Sequence, residues 1–200
     1  MGHKHITSLS MARSGHNFVL QNVLSWLEDG EHYIHHNLEN IDPHRLTINH
    51  LKHPGFKLLI WRDFDDWLAS SIAKAYKIGA TRTISDIPKY IDRICKTYWA
   101  IYQEGQQEVL YKPRIVIHYD EFYESRKYRQ GICDKVKGEY SEKLIDYVPA
   151  NGRFSSFDGR DYQGNGSKMN VLNRADDILK TEHKELFLKT MERYGNRFRI

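Results

Sequence analysis

A short polar turn near the beginning of the chain carries residues suited to binding an anion. Arg13 and Gly15 lie in this turn, after alternating residues that end at Ser8 and before an apolar pattern from Val19 to Leu27 at three- and four-residue steps. This order predicts a strand, a turn and an amphipathic helix. The turn would then lie at a helix N-terminus, where unpaired N–H groups favour an anion. Because a guanidinium can donate paired hydrogen bonds to phosphate or sulfate oxygens, we expect a phosphorylated or sulfated nucleotide here. An ordinary turn with a solvated arginine is the alternative.

A second group of polar residues follows the most apolar predicted strand, residues 56–61. Such a run is typical of a strand that is covered on both faces at the centre of a parallel sheet. Arg62 comes directly after it, and Asp66 and Ser70 follow at four-residue spacing on a predicted helix that Asp63 can cap. In the plain interpretation, Arg62 pairs with Asp66 and Ser70 faces a neighbouring helix.

Histidines in the polar segment of residues 29–45 have a spacing that can bind a metal ion. His32 and His36 lie four residues apart, which on a helix would place two imidazoles on one face. Gly30 and the Asn and Asp content disfavour a helix, and neither a cysteine nor an obvious third ligand joins them. We therefore predict no metal site and interpret the segment as a short strand or an irregular segment, with a solvated or substrate-facing loop as the alternative to metal binding.

The two cysteines do not form a metal or disulfide motif. Cys95 and Cys133 are 38 residues apart and belong to no CxxC pair. We expect buried free thiols in a reducing compartment.

The remaining patterns predict an α/β chain. Further strands are predicted at residues 46–51 and 114–122, and helices at residues 84–107 and 181–194. The glycine-rich residues 151–168 are the least regular stretch, and a long loop in a compact domain is often functional.

Composition limits the class of protein. The 200 residues are 40% hydrophobic, which predicts one domain over residues 1–200 with a core of its own. The net charge of +4 favours an anionic ligand but is too small to indicate nucleic acid. No run of about 18 apolar residues occurs and the N-terminus lacks an apolar signal core. We expect a cytoplasmic protein with no membrane partner.

The chain resembles the sulfotransferase family at both polar junctions. The stretch Ala12 to Phe18 is similar to the family's 5′-phosphosulfate loop, PKSGT followed by threonine and an aromatic residue, with Arg13 where lysine is common. Arg62, Asp66 and Ser70 match the spacing of the family's RxxxDxxxS motif. The resemblance implies a three-layer α/β/α fold with a mainly parallel sheet, like that of P-loop nucleotide triphosphatases.

The resemblance also implies roles for individual residues. The 3′-phosphate of the donor would contact Arg62 and Ser70, and Arg13 would stabilise charge on the bridging oxygen. The 5′-phosphate would be held by the loop, which comprises Arg13, Ser14, Gly15, His16 and Asn17. Adenine would pack against aromatic residues in three family-like stretches, namely Phe18, Tyr119 of a YED-like stretch and Phe157 of a TSF-like stretch.

Two roles are less well defined by the resemblance. His50 lies in an Asn-His-Leu segment that resembles the family's THL, whose histidine is the general base, and Glu31 and His35 are the alternatives. The family's basic RKG segment has no match in this chain. Lys168 has the best position relative to the last helix among the possible substitutes, which also include Arg153, Arg160 and Arg174.

A sulfotransferase would move a sulfuryl group from 3′-phosphoadenosine 5′-phosphosulfate (PAPS) to a hydroxyl or amine, releasing adenosine 3′,5′-bisphosphate (PAP). The polar, histidine-rich segments favour a small hydrophilic or carbohydrate acceptor, and no metal is required. A non-catalytic nucleotide-binding relative is one alternative. A P-loop-like kinase is another, which the absence of GxxxxGK[ST] and of an obvious acidic magnesium site disfavours.

Overall fold

The computed structural model describes residues 6–11, 13, 15–27, 33–37, 56–79, 86–106, 114–145 and 171–198. Four strands are described, namely β1 Ile6–Ser10, β2 Tyr33–Asn37, β3 Phe56–Trp61 and β4 Arg114–His118. The described helices are α1 His16–Ser25, α2 Phe64–Gly79, α3 Ile87–Gln106, α4 Tyr119–Glu124, α5 Arg126–Val136, α6 Arg174–Ile178 and α7 Lys184–Tyr194, which a 3-10 turn follows at Gly195–Arg197.

The described strands form one parallel sheet in the order β2-β1-β3-β4. Strand β3 is therefore paired on both sides, and Leu58, Leu59 and Ile60, which point alternately to its two faces, are all buried. The expectation that this run lies inside a parallel sheet is confirmed. The broad α/β class predicted from the sequence is confirmed with it.

The chain divides into two compact units. The first comprises Met1–Arg62 and Ala100–Ile145, and the second comprises Asp63–Trp99 and Asp146–Ile200. The described part of the first unit holds the sheet, α1, α4, α5 and the end of α3. The described part of the second holds α2, most of α3, α6 and α7. The expectation of a single domain over residues 1–200 stays a prediction.

Helix α1 of the first unit packs against β3. Its buried face repeats at three- and four-residue steps, through Val19, Leu20 and Val23, as the sequence pattern predicts. The helix ends at the buried Trp26, whose indole N–H donates a hydrogen bond to the carbonyl of Ser141 over 2.8 Å. This bond ties residues 138–145 to the end of α1.

In the second unit, α2 contacts α6 and α7. Its core is aromatic, because Phe64 stacks on Trp67 and on Phe198 with ring centroids 5.8 Å and 4.1 Å apart. The Tyr194 hydroxyl donates to a carboxylate oxygen of Asp92 and so joins α7 to α3. Burial and this hydrogen bond raise the pKa of Tyr194 to about 12, so the phenol stays protonated near neutral pH.

Element boundaries differ from the sequence expectations in one important place. The strand predicted over residues 114–122 ends at His118, and Tyr119 begins α4. The acidic residues Asp120 and Glu121 suit a first helical turn, and the helix buries Tyr119 and Phe122 together. The strand predicted at residues 46–51 lies outside the described residues. Among the described helices, none is both long and apolar enough to cross a membrane.

Candidate functional site

The candidate site lies at the carboxyl edge of the sheet in the first unit. From β1 the chain passes to β2 on one side and then to β3 on the other, so the strand order reverses between β1 and β3. Ligands of open parallel sheets bind outside the carboxyl ends of the strands at such a reversal. Ser10 and Ile60 are register partners near those ends. The turn with Arg13 follows β1, and Arg62 follows β3. Both therefore come directly after strands that end at this edge.

The turn between β1 and α1 has an unusual backbone. Arg13 has φ 72° and Gly15 has φ 77°, both in the left-handed region. This conformation costs a non-glycine residue roughly 1–2 kcal/mol, and such strain is concentrated at functional sites. Left-handed residues in a turn can also direct successive N–H groups towards one anion. Helix α1 begins directly afterwards at His16 and has no acidic residue in its first turn, so no carboxylate of that turn lies at its positive end.

The side chain of His16 points into the protein. Its ring is buried, with Nε2 2.6 Å from the hydroxyl oxygen of Ser8 on β1 and Nδ1 3.2 Å from the amide oxygen of Asn17. In the tautomer with the proton on Nδ1, the imidazole donates to the Asn17 amide oxygen and Nε2 accepts from the Ser8 hydroxyl. The sequence did not indicate this Ser8–His16–Asn17 network. At this position the backbone N–H, rather than the imidazole, is the group suited to a phosphate.

Tyr119 connects the turn to Arg62. A methyl group built on Gly15 would lie 1.8 Å from Cδ2 of the Tyr119 ring, so the glycine backbone rests directly against that ring. The Arg62 guanidinium carbon lies 5.0 Å from the centroid of the same ring. Phe18 meets Tyr119 edge-on, with centroids 6.0 Å apart and planes at 79°. Tyr119 is only 4% exposed and is surrounded by protein, whereas Phe18 is half-buried.

Arg62 is buried in an ion pair. Its Nε donates to Oδ1 of Asp120 over 3.2 Å, and the arginine is 2% exposed. Asp66, with which the plain interpretation of the sequence paired Arg62, accepts a hydrogen bond from the backbone N–H of Ala175 over 2.8 Å, and its pairing with Arg62 stays a prediction. Asp120 is the middle residue of the YED-like stretch that begins at Tyr119, and no sequence pattern assigned it a role. The ion pair with Asp120 fixes the orientation of the guanidinium.

Helix α4, which supplies Tyr119 and Asp120, is held in place by α5. With six residues it is too short to be stable alone. Arg129 Nη1 donates to the carbonyls of Phe122 and Tyr123 over 2.8 Å and 2.9 Å. At the other end of α4, the His118 N–H donates to the hydroxyl oxygen of Tyr128. Nothing in the sequence pattern distinguished Arg129 from the other basic residues.

The second unit places Ser70 in a buried polar cluster. The Ser70 hydroxyl accepts a hydrogen bond from Nη1 of Arg174 over 3.4 Å, and Nε of Arg174 donates to the carbonyl of Val171 over 3.3 Å. Both side chains are buried. Arg174 was one of four basic residues considered for the missing RKG segment.

Several predicted site residues lie outside the described residues, namely Ser14, Glu31, His50, Phe157 and Lys168. The backbone of His35 lies in β2, at the edge of the described sheet, and the structure describes only this backbone and not the side chain. The roles expected of these residues stay predictions.

Comparisons with family models, with curated proteins and with solved structures each found no match to this chain.

Proposed function

We propose that this chain is a PAPS-dependent sulfotransferase whose donor binds at the carboxyl edge of β1 and β3. The observation that supports this most is the run of contacts from Gly15 through Tyr119 to Arg62 within the first unit. Two motifs that are 47 residues apart in the sequence, at positions 15 and 62, meet there on one aromatic ring. A donor with two anionic groups requires two neighbouring groups that bind anions, and the backbone of the turn and Arg62 are proposed to be those groups.

The 5′ side of the donor is assigned to the turn. Backbone N–H groups at the start of α1 would hold the 5′-phosphate, and Arg13 would lie beside the bridging oxygen. In the transfer, the acceptor atom attacks sulfur and the bond from sulfur to the bridging oxygen breaks, leaving negative charge on that oxygen. A guanidinium already in place stabilises this charge without reorganisation.

The 3′-phosphate is assigned to Arg62, whose guanidinium is oriented by Asp120. The motif assigns Ser70 to the same phosphate, and that assignment rests on the sequence. The acceptor's proton passes to a general base as the new bond to sulfur forms, and His50 is the predicted base. We expect His50→Ala to abolish turnover while PAP binding survives; equal turnover would remove His50 from the mechanism.

The proposal includes the family's fold and setting. It requires a three-layer α/β/α arrangement, in which the parallel sheet would be the central layer. A cytoplasmic location agrees with the free, buried thiols of Cys95 and Cys133. The acceptor is proposed to be a small hydrophilic molecule or a carbohydrate.

Calorimetry with PAP and with ATP in the presence and absence of Mg²⁺ tests the binding half of the proposal. We expect metal-independent binding of PAP and much weaker binding of ATP. Arg13→Ala should weaken PAP binding, whereas Arg13→Lys should retain most of it because lysine is common in the resembling loop. Preference for ATP with Mg²⁺ would instead support the kinase and contradict the proposal.

A non-catalytic binding module is a second candidate, which the inward-facing ring of His16 favours because the family's loop has threonine there. Transfer of labelled sulfate from PAPS to a panel of sugars and small alcohols separates the two. Labelled product supports the enzyme, and we expect Arg13→Ala to reduce its rate by about 100-fold. Binding of PAP without transfer to any acceptor would support the module.

A further inference from the structure

We propose that Tyr119 is a positioning residue that holds the two halves of the site at a fixed separation, so that the site selects ligands with two anionic groups. The first half is the turn with Arg13 and Gly15, and the second is the Arg62 guanidinium. This inference rests on the proposed function. It assigns to Tyr119 a role different from the contact with adenine that the sequence resemblance implies.

The turn can reach its position only because the Tyr119 ring forms its support. Gly15 is in the left-handed region, and a methyl group on it would overlap the ring at Cδ2 and Cε2, 1.8 Å and 2.1 Å away. The turn backbone therefore lies so close to the ring that no side chain fits between them. A ring of another size or orientation would move the turn.

The same ring also positions Arg62. The guanidinium carbon is 5.0 Å from the ring centroid, a distance at which a cation is attracted to an aromatic face. The next residue of α4, Asp120, accepts from Nε of Arg62. Two consecutive residues of α4 thus fix the arginine, and one of them also supports the turn.

The Tyr119 ring is packed against Gly15, Arg62 and Phe18, and these contacts favour a positioning role over contact with a base. The ring is 4% exposed, and Phe18 covers it edge-on. Half-buried aromatic rings stand beside it at Phe18 and Tyr123, 5.7 Å apart. Tyr119 is therefore suited to act through Gly15 and Arg62 rather than on the ligand directly.

A fixed separation matters only to a ligand that uses both halves. Once the first anionic group is bound, the second binds intramolecularly, with an effective concentration that depends on how well the two positions match the ligand. Removing the ring would loosen this match. Ligands with one phosphate use one half and should lose less affinity.

The test compares three ligands, namely PAP, adenosine 5′-phosphate and adenosine 3′-phosphate, by calorimetry on the wild-type chain, Tyr119→Leu and Tyr119→Phe. We expect the wild type to bind PAP more tightly than either monophosphate. Tyr119→Leu should reduce the affinity for PAP at least about tenfold more than it reduces the affinity for either monophosphate, because effective concentration is lost. Tyr119→Phe, which keeps the ring, should retain the preference for PAP.

Two results would overturn the inference while leaving the proposed function intact. One is an equal fold-loss for all three ligands in Tyr119→Leu, and the other is a Tyr119→Phe variant that loses the preference as fully as Tyr119→Leu does. Tyr119→Met, whose longer and more flexible side chain can adapt to the space of the ring, replaces the leucine variant if that one does not fold. A wild-type chain that binds no nucleotide would overturn the proposed function itself.

Discussion

Gly15 is the most constrained described residue of the turn. We predict that Gly15→Ala lowers the free energy of unfolding by more than about 1 kcal/mol, since φ 77° strains any residue with a Cβ atom. The Tyr119 ring must also move to admit the methyl group, so PAP binding should be lost. Urea unfolding and calorimetry measure the two effects.

Gly131 offers a matched control. It lies within α5, and a methyl group built on it meets no atom within 4 Å. Gly131→Ala should leave PAP binding unchanged and stabilise the fold by about 0.4–1 kcal/mol, because alanine is the better helix former. If both substitutions affect PAP binding equally, the special role of Gly15 is wrong.

The Arg62–Asp120 pair leads to a second prediction about single residues. Arg62→Met removes the buried guanidinium from the half-buried carboxylate of Asp120 and should cost about 3 kcal/mol of stability, the lower end of the cost of breaking a buried ion pair. The double variant Arg62→Met with Asp120→Leu should be more stable than the sum of the two single effects predicts, by at least about 1 kcal/mol. A double-mutant cycle from urea unfolding measures this coupling, and strictly additive losses would contradict it.

Among the elements, α4 depends on its neighbour. Arg129 of α5 binds two carbonyls of α4 and also donates from Nη2 to Oε1 of Glu142 over 2.7 Å. Tyr140 donates to the same carboxylate oxygen. One side chain therefore joins α4, α5 and residues 138–145. The position of Tyr119 at the start of α4 depends on this arrangement.

This arrangement should make stability depend on pH. The hydrogen bond from Arg129, and then that from Tyr140, lower the pKa of Glu142 below its usual range. A depressed folded-state pKa gives stability that is complete above the unfolded-state pKa and is lost as pH falls through the folded-state value. We predict that Glu142→Gln reduces the fall in the urea midpoint between about pH 6 and about pH 3.

Glu139→Gln is the control for that experiment, because Glu139 is an exposed carboxylate in the same segment. It should show the same fall in the urea midpoint as the wild type. If Glu142→Gln also matches the wild type, the ion pair with Arg129 does not support the segment in solution.

For the whole molecule, ligand binding should raise the free energy of unfolding. A ligand that binds only the folded chain raises the free energy of unfolding by about 2.7 kcal/mol at 100 times its Kd. We predict such a rise in the free energy of unfolding when PAP is added to the wild-type chain. ATP and Mg²⁺ at the same concentration should give no rise of similar size. In Arg13→Ala the rise with PAP should be lost. Urea unfolding at fixed protein concentration measures it. A rise with ATP and Mg²⁺ alone would contradict the proposed donor.

Local patterns were sufficient to predict much of the fold. The apolar run at residues 56–61 gave an interior strand, and the three- and four-residue steps after Gly15 gave α1. The strand predicted through Phe122 was wrong after His118. Apolar and aromatic residues in a short stretch suit either a strand or a helix, and here the contacts with α5 decided for the helix.

The sequence by itself determined which residues precede and follow the strands, because hydrophobic periodicity and turn residues act over a few positions along the chain. It therefore located the Arg13 turn and Arg62. Only the tertiary structure decided that Tyr119 lies against Gly15 and Arg62, that Asp120 accepts from Nε of Arg62, and that His16 turns towards Ser8. Those contacts join residues far apart in sequence, and their partners depend on strand order and helix packing, which no local pattern encodes.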